Sequence, residues 1–232
     1  MSEQLADLIK QAVNDPDRLA RLHSLNLLDT EVEEAFDRLT RLASRITGCP
    51  VSLVSLVDAD RQFFKSMFGL TGWAAEDQQT PLSHSFCKHV VATGDVLAVD
   101  DAREHPDLKD NLAIPDLNVI GYLGIPLTTS DGFELGSFCV IDSQPRTWEP
   151  HEVEIIRELA VSVMTEIELR AQMLAREQAE RELTERNRKY QRVYRFASST
   201  LDRMQDLIEH RAAIEEFDGF VQEMRRELSR LD

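Results

Sequence analysis

The 232-residue sequence predicts an α+β fold, an antiparallel sheet with helices on one face, followed by a long C-terminal coiled-coil helix. Three observations carry this. Residues 51–68 and 120–142 each read as two strand-forming apolar runs around a polar turn, the signature of a hairpin. Ala35, Phe36, Leu39, Leu42, Ala43 and Ile46 recur at helical intervals. After Pro150 no glycine or proline occurs before Gly219, so one helix of great length can form.

In chain order, 5–12 reads as a short amphipathic helix, and Asn14, Asp15, Pro16 and Asp17 interrupt it before the pattern resumes over 18–28. Thr30 and Glu33 have capping-box spacing ahead of the 35–46 helix, and Gly48 stops it. Strands at 51–57 and 62–68 flank a polar turn. Loop follows over 69–80, with Trp73 expected as a tucked-in anchor. Residues 82–93 read as a short helix ended by Gly94, with Ser85 and His89 on one side and Phe86 and Val90 beside them. A short strand at 96–99 leads through Asp100 and Asp101 into a proline-punctuated lid, 104–118, with at most one helical turn.

The second hairpin, 120–142, turns at Ser130, Asp131 and Gly132, where Asp-Gly supplies the backbone angles a tight turn needs. If Leu127 faces Leu135, one face carries Leu123, Ile125, Leu127, Leu135, Cys139 and Ile141, and the other carries Tyr122, Phe138 and Val140. Both faces are apolar, so the sheet must be covered twice, once by helices and once by something else, such as a lid over a cavity. Gly124 and Gly136 fall beside Tyr122, where they make room either for an approaching loop or for a ligand. Pro126 cannot donate to a ladder, so a bulge or an unpaired flank is expected there.

Beyond Arg146, Thr147, Pro150 and Glu152 suit a helix start. Its first part is apolar on more than one stripe, so one stripe packs on the sheet and another, including Val163 and Ile167, is left for a second subunit. A 4,3 seam then runs through Leu183, Asn187, Tyr190, Tyr194, Ala197, Leu201, Met204 and Ile208, with Asn187 setting register. A second seam, Ile214, Phe217, Val221, Met224, Leu228 and Leu231, is out of phase. The break at 210–213 implies a stutter or a reversal into a helical hairpin. The expected organisation is an N-terminal helical segment (1–17), a sheet-bearing domain (18–170), a coiled coil (171–210) and a C-terminal helical segment (211–232).

A net charge of −16 disfavours nucleic acid and anionic membrane as partners. Acidic residues outnumber basic ones two to one before residue 150 and only slightly after it, as in helices that pair through ion pairs. Cys49, Cys87 and Cys139 lie in separate elements without Cys-x-x-Cys spacing, which argues against a disulfide framework or structural zinc. The N-terminus lacks a signal-peptide pattern and no run reaches the ~20 apolar residues of a membrane span, so the expected location is the cytoplasm.

Several phrases together resemble a GAF domain of the kind found in bacterial histidine kinases and diguanylate cyclases. They are Leu-Leu-Asp-Thr at 27–30, Phe-Asp-Arg-Leu-Thr-Arg-Leu-Ala at 36–43, Val-Ser-Leu-Val-Asp at 54–58 and Gln-Phe-Phe-Lys-Ser at 62–66. Ser-Phe-Cys-Lys-His-Val-Val at 85–91, Asp-Ala at 101–102, Gly-Ile-Pro-Leu at 124–127 and Cys-Val-Ile-Asp at 139–142 complete them. The resemblance implies a profilin/PAS-like sheet in the order 2-1-5-4-3, a pocket under the lid on the face away from the first and last helices, and a parallel dimer through those helices. It also implies a signalling helix leading to an unidentified output protein or domain. No kinase phosphoacceptor box, nucleotide-binding glycine motif or cyclase Gly-Gly-Asp-Glu-Phe phrase is present, so the chain reads as a sensor without its own effector, or a piece of a longer protein.

The expected ligand-binding residues are Ser85, Phe86, Cys87, His89, Asp101, Tyr122 and Phe138, with no catalytic or metal-ligating set. Cys87, His84 and His89 form the only local cluster of thiol and imidazole groups. Lys88 separates Cys87 from His89, where bilin-binding members place cysteine directly before histidine. Bilin is therefore not the expected cofactor; haem is not expected either, and the cofactor stays unassigned. His89 can equally hydrogen-bond a lid carbonyl with Cys87 packed beneath it, and Asp101 can receive a ligand or merely cap the lid turn. Relatives that reduce methionine sulfoxide use a lid cysteine, and 104–118 contains none. The expectation is a non-enzymatic sensor that binds a small molecule and signals through a dimeric coiled coil. A thiol-based redox protein centred on Cys87 and a ligand-free dimerisation adaptor are the alternatives.

Overall fold

A computed structural model describes residues 3–209 and 214–228, in two compact units, Met1–Ala171 and Gln172–Asp232. In the first, α1 (Glu3–Val13) and α2 (Pro16–Ser24) are separated by a sharp corner. Pro16 opens α2 where its missing N–H costs nothing, and the Asp15 side chain accepts the Arg18 N–H at 2.7 Å. Helix α3 (Glu34–Thr47) ends at Gly48, whose φ of +72° favours glycine. Its start is not a capping box. Thr30 and Glu33 instead receive the Lys65 ammonium, at 2.7 and 2.5 Å, because a lysine with 1% exposure takes every acceptor within reach.

The sheet has the order β3-β2-β1-β6-β5-β4, antiparallel at each pairing. Its strands are β1 (Val51–Val57), β2 (Arg61–Phe68), β3 (Gln79–Pro81), β4 (Leu97–Val99), β5 (Gly121–Thr128) and β6 (Glu134–Asp142). Set the short edge strand β3 aside and the order is the one the resemblance implied. Helices α4 (Trp73–Glu76), α5 (Cys87–Thr93) and α6 (Ala113–Leu117) lie between strands, and α7 (Pro150–Glu209) follows the sheet. A 3₁₀ turn at Leu82–His84 precedes α5, so Ser85 lies ahead of the helix and accepts the Lys88 N–H. Trp73 is 40% exposed and meets the His84 ring edge-on at 5.3 Å, so it is no tucked-in anchor.

The β5–β6 register is one residue away from the expected one. Leu127 faces Gly136 rather than Leu135, and the ladder shifts between Leu127 and Thr128. The reason is the turn: Thr129 N–H reaches the Phe133 carbonyl and Gly132 N–H reaches Thr129, which makes a longer loop with a bulge at its foot. Pro126 stays in register with Ser137, and the irregularity falls just after it. One step of register exchanges the faces of a strand. Phe138 and Val140 therefore join Leu123, Ile125 and Leu127 against the helices, while Cys139 and Ile141 join Tyr122 on the opposite side. Phe138 leaves the candidate site for this reason.

Each face is covered by its own core. Helix α3, the 22–27 segment and the first turns of α7 pack on one side through Phe36, Ala43, Ile156 and Ala160. Val163 and Ile167, expected in a dimer seam, belong to this core with 0% and 1% exposure, because the stripe they share with Ile156 is the one the sheet needs. Helices α1, α5 and α6 cover the other side, with Ile9 and Val13 of α1 in the same cluster as Val90 and Val91 of α5.

In the second unit, α8 (Ile214–Leu228) lies against the end of α7. Arg203 bonds the Glu223 carboxylate at 2.7 Å and stacks on Phe220. The break at 210–213 and Leu231 lie outside the described residues. Leu183, Tyr190, Tyr194, Leu201 and Ile208 are each more than half exposed; Asn187 and Ala197 are exposed and Met204 is half-buried. No described helix is long and apolar enough to cross a membrane.

Candidate functional site

The face opposite α3 and α7 carries a small chamber. Leu53 of β1, Gln62 and Phe64 of β2, Tyr122 of β5 and Cys139 and Ile141 of β6 form its floor. Phe86 and Cys87 close one side, and Ala113, Leu117 and Val119 roof it from the lid, with Leu70 and His84 completing the wall. Its volume is about 30 Å³, room for a water molecule or two.

Tyr122 fills most of the floor. It lies along the strand because Gly124 offers no side chain: a Cβ there would stand 2.3 Å from the Tyr122 hydroxyl and 2.7 Å from its ring. Gly136, expected to leave room for a loop or a ligand beside Tyr122, makes room for the β1 backbone instead, since its Cβ would meet the Ser55 carbonyl oxygen at 1.9 Å. The Tyr122 hydroxyl lies 3.4 Å from Cys87 Sγ and 3.1 Å from Ser137 Oγ, and the ring meets Phe86 edge-on at 5.2 Å. Burial, then the neighbouring Cys87 and Cys139, raises the hydroxyl well above its ordinary pKa, so it stays neutral.

Cys87 and Cys139 are neighbouring buried thiols. Hydrogen bonding from Cys139, with help from Ser137, Ser55 and Tyr122, draws Cys87 down against the desolvation that opposes it, while its contact with Cys87 and burial push Cys139 well up. Both are buried, so a reagent reaches them only when the lid opens. Next to them Gln62 accepts from Ser85 Oγ at 2.7 Å and donates to Thr80 Oγ1 at 2.7 Å. Among the described residues every buried side-chain nitrogen and oxygen has a partner, so the chamber is a satisfied interior.

The lid is fastened at a few points. His84 Nε2 lies 3.0 Å from Asp116 Oδ2, with Nδ1 3.0 Å from Ser83 Oγ. Asn111 Nδ2 donates to the Ser85 carbonyl, and Leu112 N–H to that of Ser83. Asp101 lies outside the chamber, where it accepts the backbone N–H and the guanidinium of Arg103 and so caps the lid turn. Of the seven expected site residues, the fold brings Phe86, Cys87 and Tyr122 to the chamber. It places Ser85 one hydrogen bond behind, at Gln62, and leaves His89, Asp101 and Phe138 outside. Gln62, Cys139 and the lid residues were missed. Only the pairing of β2 with β1, and the bulge in β5–β6, could have disclosed them. Among the described residues no group of three His, Cys, Asp or Glu side chains could hold a metal ion.

His89 is 7% exposed on the far side of α5. Burial, with the neighbouring Lys88 and His105, pushes its imidazole down to about 4 against the pull of Asp107. In the unfolded chain such a ring titrates at about 6.5. Folding therefore prefers the neutral ring: its contribution is complete above pH ~6.5 and is lost as pH falls from there through 4, to the extent of about 3 kcal/mol at pH ~4. Between pH 7 and pH 4 the unfolding free energy of the native chain should drop by about 3 kcal/mol more than that of His89→Gln. Parallel pH profiles would mean the ring is hydrated in the folded state.

The family model described as GAF domain matches residues 31–167, more than half of the chain. A Pseudomonas aeruginosa cyclic di-GMP phosphodiesterase is 33% identical over 152 residues, which are 65% of this chain and 25% of that protein. The chain thus spans about a quarter of that relative's length. Among solved structures, the blue-light absorbing form of the Thermosynechococcus elongatus PixJ GAF-domain aligns with a TM-score of 0.51 and 17% identity, over 74% of this chain and 97% of that one. A domain of a putative two-component sensor histidine kinase from Sinorhizobium meliloti aligns at 0.51 and 17%, over 64% and 99%. The free methionine-R-sulfoxide reductase of Neisseria meningitidis, in complex with its substrate, aligns at 0.50 and 18%, over 75% and 95%. At these identities the structural likenesses speak for the fold alone, whereas the sequence match covers the helices, the sheet and the lid that build the chamber. The chain belongs to the GAF domain family, as a sensory domain.

Proposed function

We propose that the chain is a non-enzymatic sensor that takes a small molecule into the chamber beneath the 104–118 lid and passes its state along α7 to an output partner. The observation that carries this is the chamber itself, a ring of apolar side chains around Tyr122 and Cys87 under a lid tied down by a handful of hydrogen bonds. Neighbouring residues of β5 and β6 point alternately into the chamber and into the core under α7, so a shift at Tyr122 or Cys139 is felt at Leu123 or Phe138.

Pairing of two chains is supported by exposed apolar side chains on the outer faces of the helices. Leu42 and Ile46 on α3, Val161 and Leu169 on α7, and Leu183, Tyr190, Tyr194, Leu201 and Ile208 of the seam are available to a second copy. The output is inferred to be a signalling enzyme, separate or in the same longer chain, of the cyclic di-GMP type that the phosphodiesterase relative represents. A second reading, a ligand-free dimerisation adaptor, is favoured by the smallness of the chamber.

Native mass spectrometry of the purified chain separates them. The sensor reading expects a small-molecule adduct that Tyr122→Ala removes while leaving the dimer, and a Tyr194→Lys, Leu201→Lys double variant that is monomeric yet keeps the adduct. A dimer without any adduct, together with slow hydrogen exchange throughout 104–118, favours the adaptor.

A further inference from the structure

The chamber's chemistry also says what class of molecule it takes, an inference that rests on the sensor reading above. None of its lining side chains is Arg, Lys, Asp or Glu. Two nearby cations are occupied elsewhere: the Lys88 ammonium bonds the Leu82 carbonyl at 2.8 Å, and Arg103 is held by Asp101. At the rim Asp116 adds a carboxylate on the lid side of His84. The whole chain carries a net charge of −16.

An anion entering this chamber loses its hydration and meets no counter-charge, behind a rim that repels it. A cation finds only Asp116, at the surface. An uncharged apolar ring, by contrast, exchanges water for Leu53, Phe64, Phe86 and Leu117, and one or two polar atoms on it can share the Tyr122 hydroxyl, Gln62 or His84 with the partners those groups already have. We infer that, with the 104–118 lid lifted to enlarge a chamber that as it stands holds only a water or two, the ligand is an uncharged, mainly apolar molecule of one or two rings carrying one or two hydrogen-bonding atoms, and that cyclic nucleotides are excluded.

Indole and cyclic di-GMP serve as probes on the full chain. Indole at about ten times its dissociation constant should raise Tm by about 4 °C, whereas cyclic di-GMP at equal concentration should leave it unchanged. The indole shift should vanish in Leu117→Trp and in Ala113→Phe, each of which fills the roof. Nuclear Overhauser contacts from indole to the Phe86 and Tyr122 rings read the same site without any variant. A cyclic di-GMP shift that the roof variants abolish overturns the ligand class but leaves the sensor reading standing. An indole shift that survives both variants and shows no contact to Phe86 overturns the inference, since binding is then elsewhere. Silence from both probes overturns the ligand class and, joined to the absence of an adduct in mass spectrometry, the sensor reading with it.

Discussion

Gly136→Ala should abolish the folded state of the first unit, or lower its stability by at least about 4 kcal/mol. The added Cβ would stand 1.9 Å from the Ser55 carbonyl oxygen and 2.9 Å from Leu56 Cα, both backbone atoms of β1. Neither can step aside. Strand β1 is paired to β2 on its other edge, and Leu56 faces Gly136 in the β1–β6 ladder, so relief means moving the middle of the sheet. Gly132→Ala is the matched control: φ is +88° in the turn, but nothing lies within 4 Å, so the cost should be only about 1 kcal/mol. Circular dichroism melts of the two variants give the comparison. A Gly136→Ala protein that melts beside Gly132→Ala would show that β1 and β6 are not packed as described.

Arg18→Met should cost about 3–5 kcal/mol and loosen α1 selectively. Arg18 is 4% exposed and donates to the carbonyls of Ala12, Val13, Val57 and Glu134, at 2.9, 2.6, 2.8 and 3.3 Å. Burial lowers its pKa while Asp58, Asp15 and Glu134 raise it, and it remains charged. One guanidinium thus ties the corner between α1 and α2 to the ends of β1 and β6. Methionine keeps the stem but leaves these carbonyls without a donor, and lysine cannot spread one ammonium over the same fork. Denaturant melts should show the loss, and hydrogen exchange should rise first in α1 and in α5 beneath it. Uniform exchange at native rates would mean the corner stands without Arg18.

The residues that decide these two outcomes differ in how plainly the sequence announces them. Gly136 stands out in an apolar run and invites a structural reason, yet the space it leaves is taken by the backbone of β1 rather than by the loop or ligand expected beside Tyr122. Arg18 looks like any charge on an amphipathic helix. Its burial comes from the carbonyls of β1 and β6, 39 and 116 residues away. In the same way Glu33 looks like a helix cap until Lys65 arrives from β2 to claim it.

Local pattern by itself determined the α+β class, both main hairpins, the stops at Gly48 and Gly94, the single helical turn in the lid and the length of α7. Those features depend on side-chain period and on backbone angles that each residue carries with it. Tertiary structure alone decided which residues face the chamber. A bulge at the foot of β5–β6 moved Phe138 to the helices and Cys139 to Tyr122, and the core's demand for one stripe of α7 withdrew Val163 and Ile167 from any partner. Because successive strand residues point to opposite faces, a change of one position in a turn reassigns a whole face, and only the packed sheet registers that change.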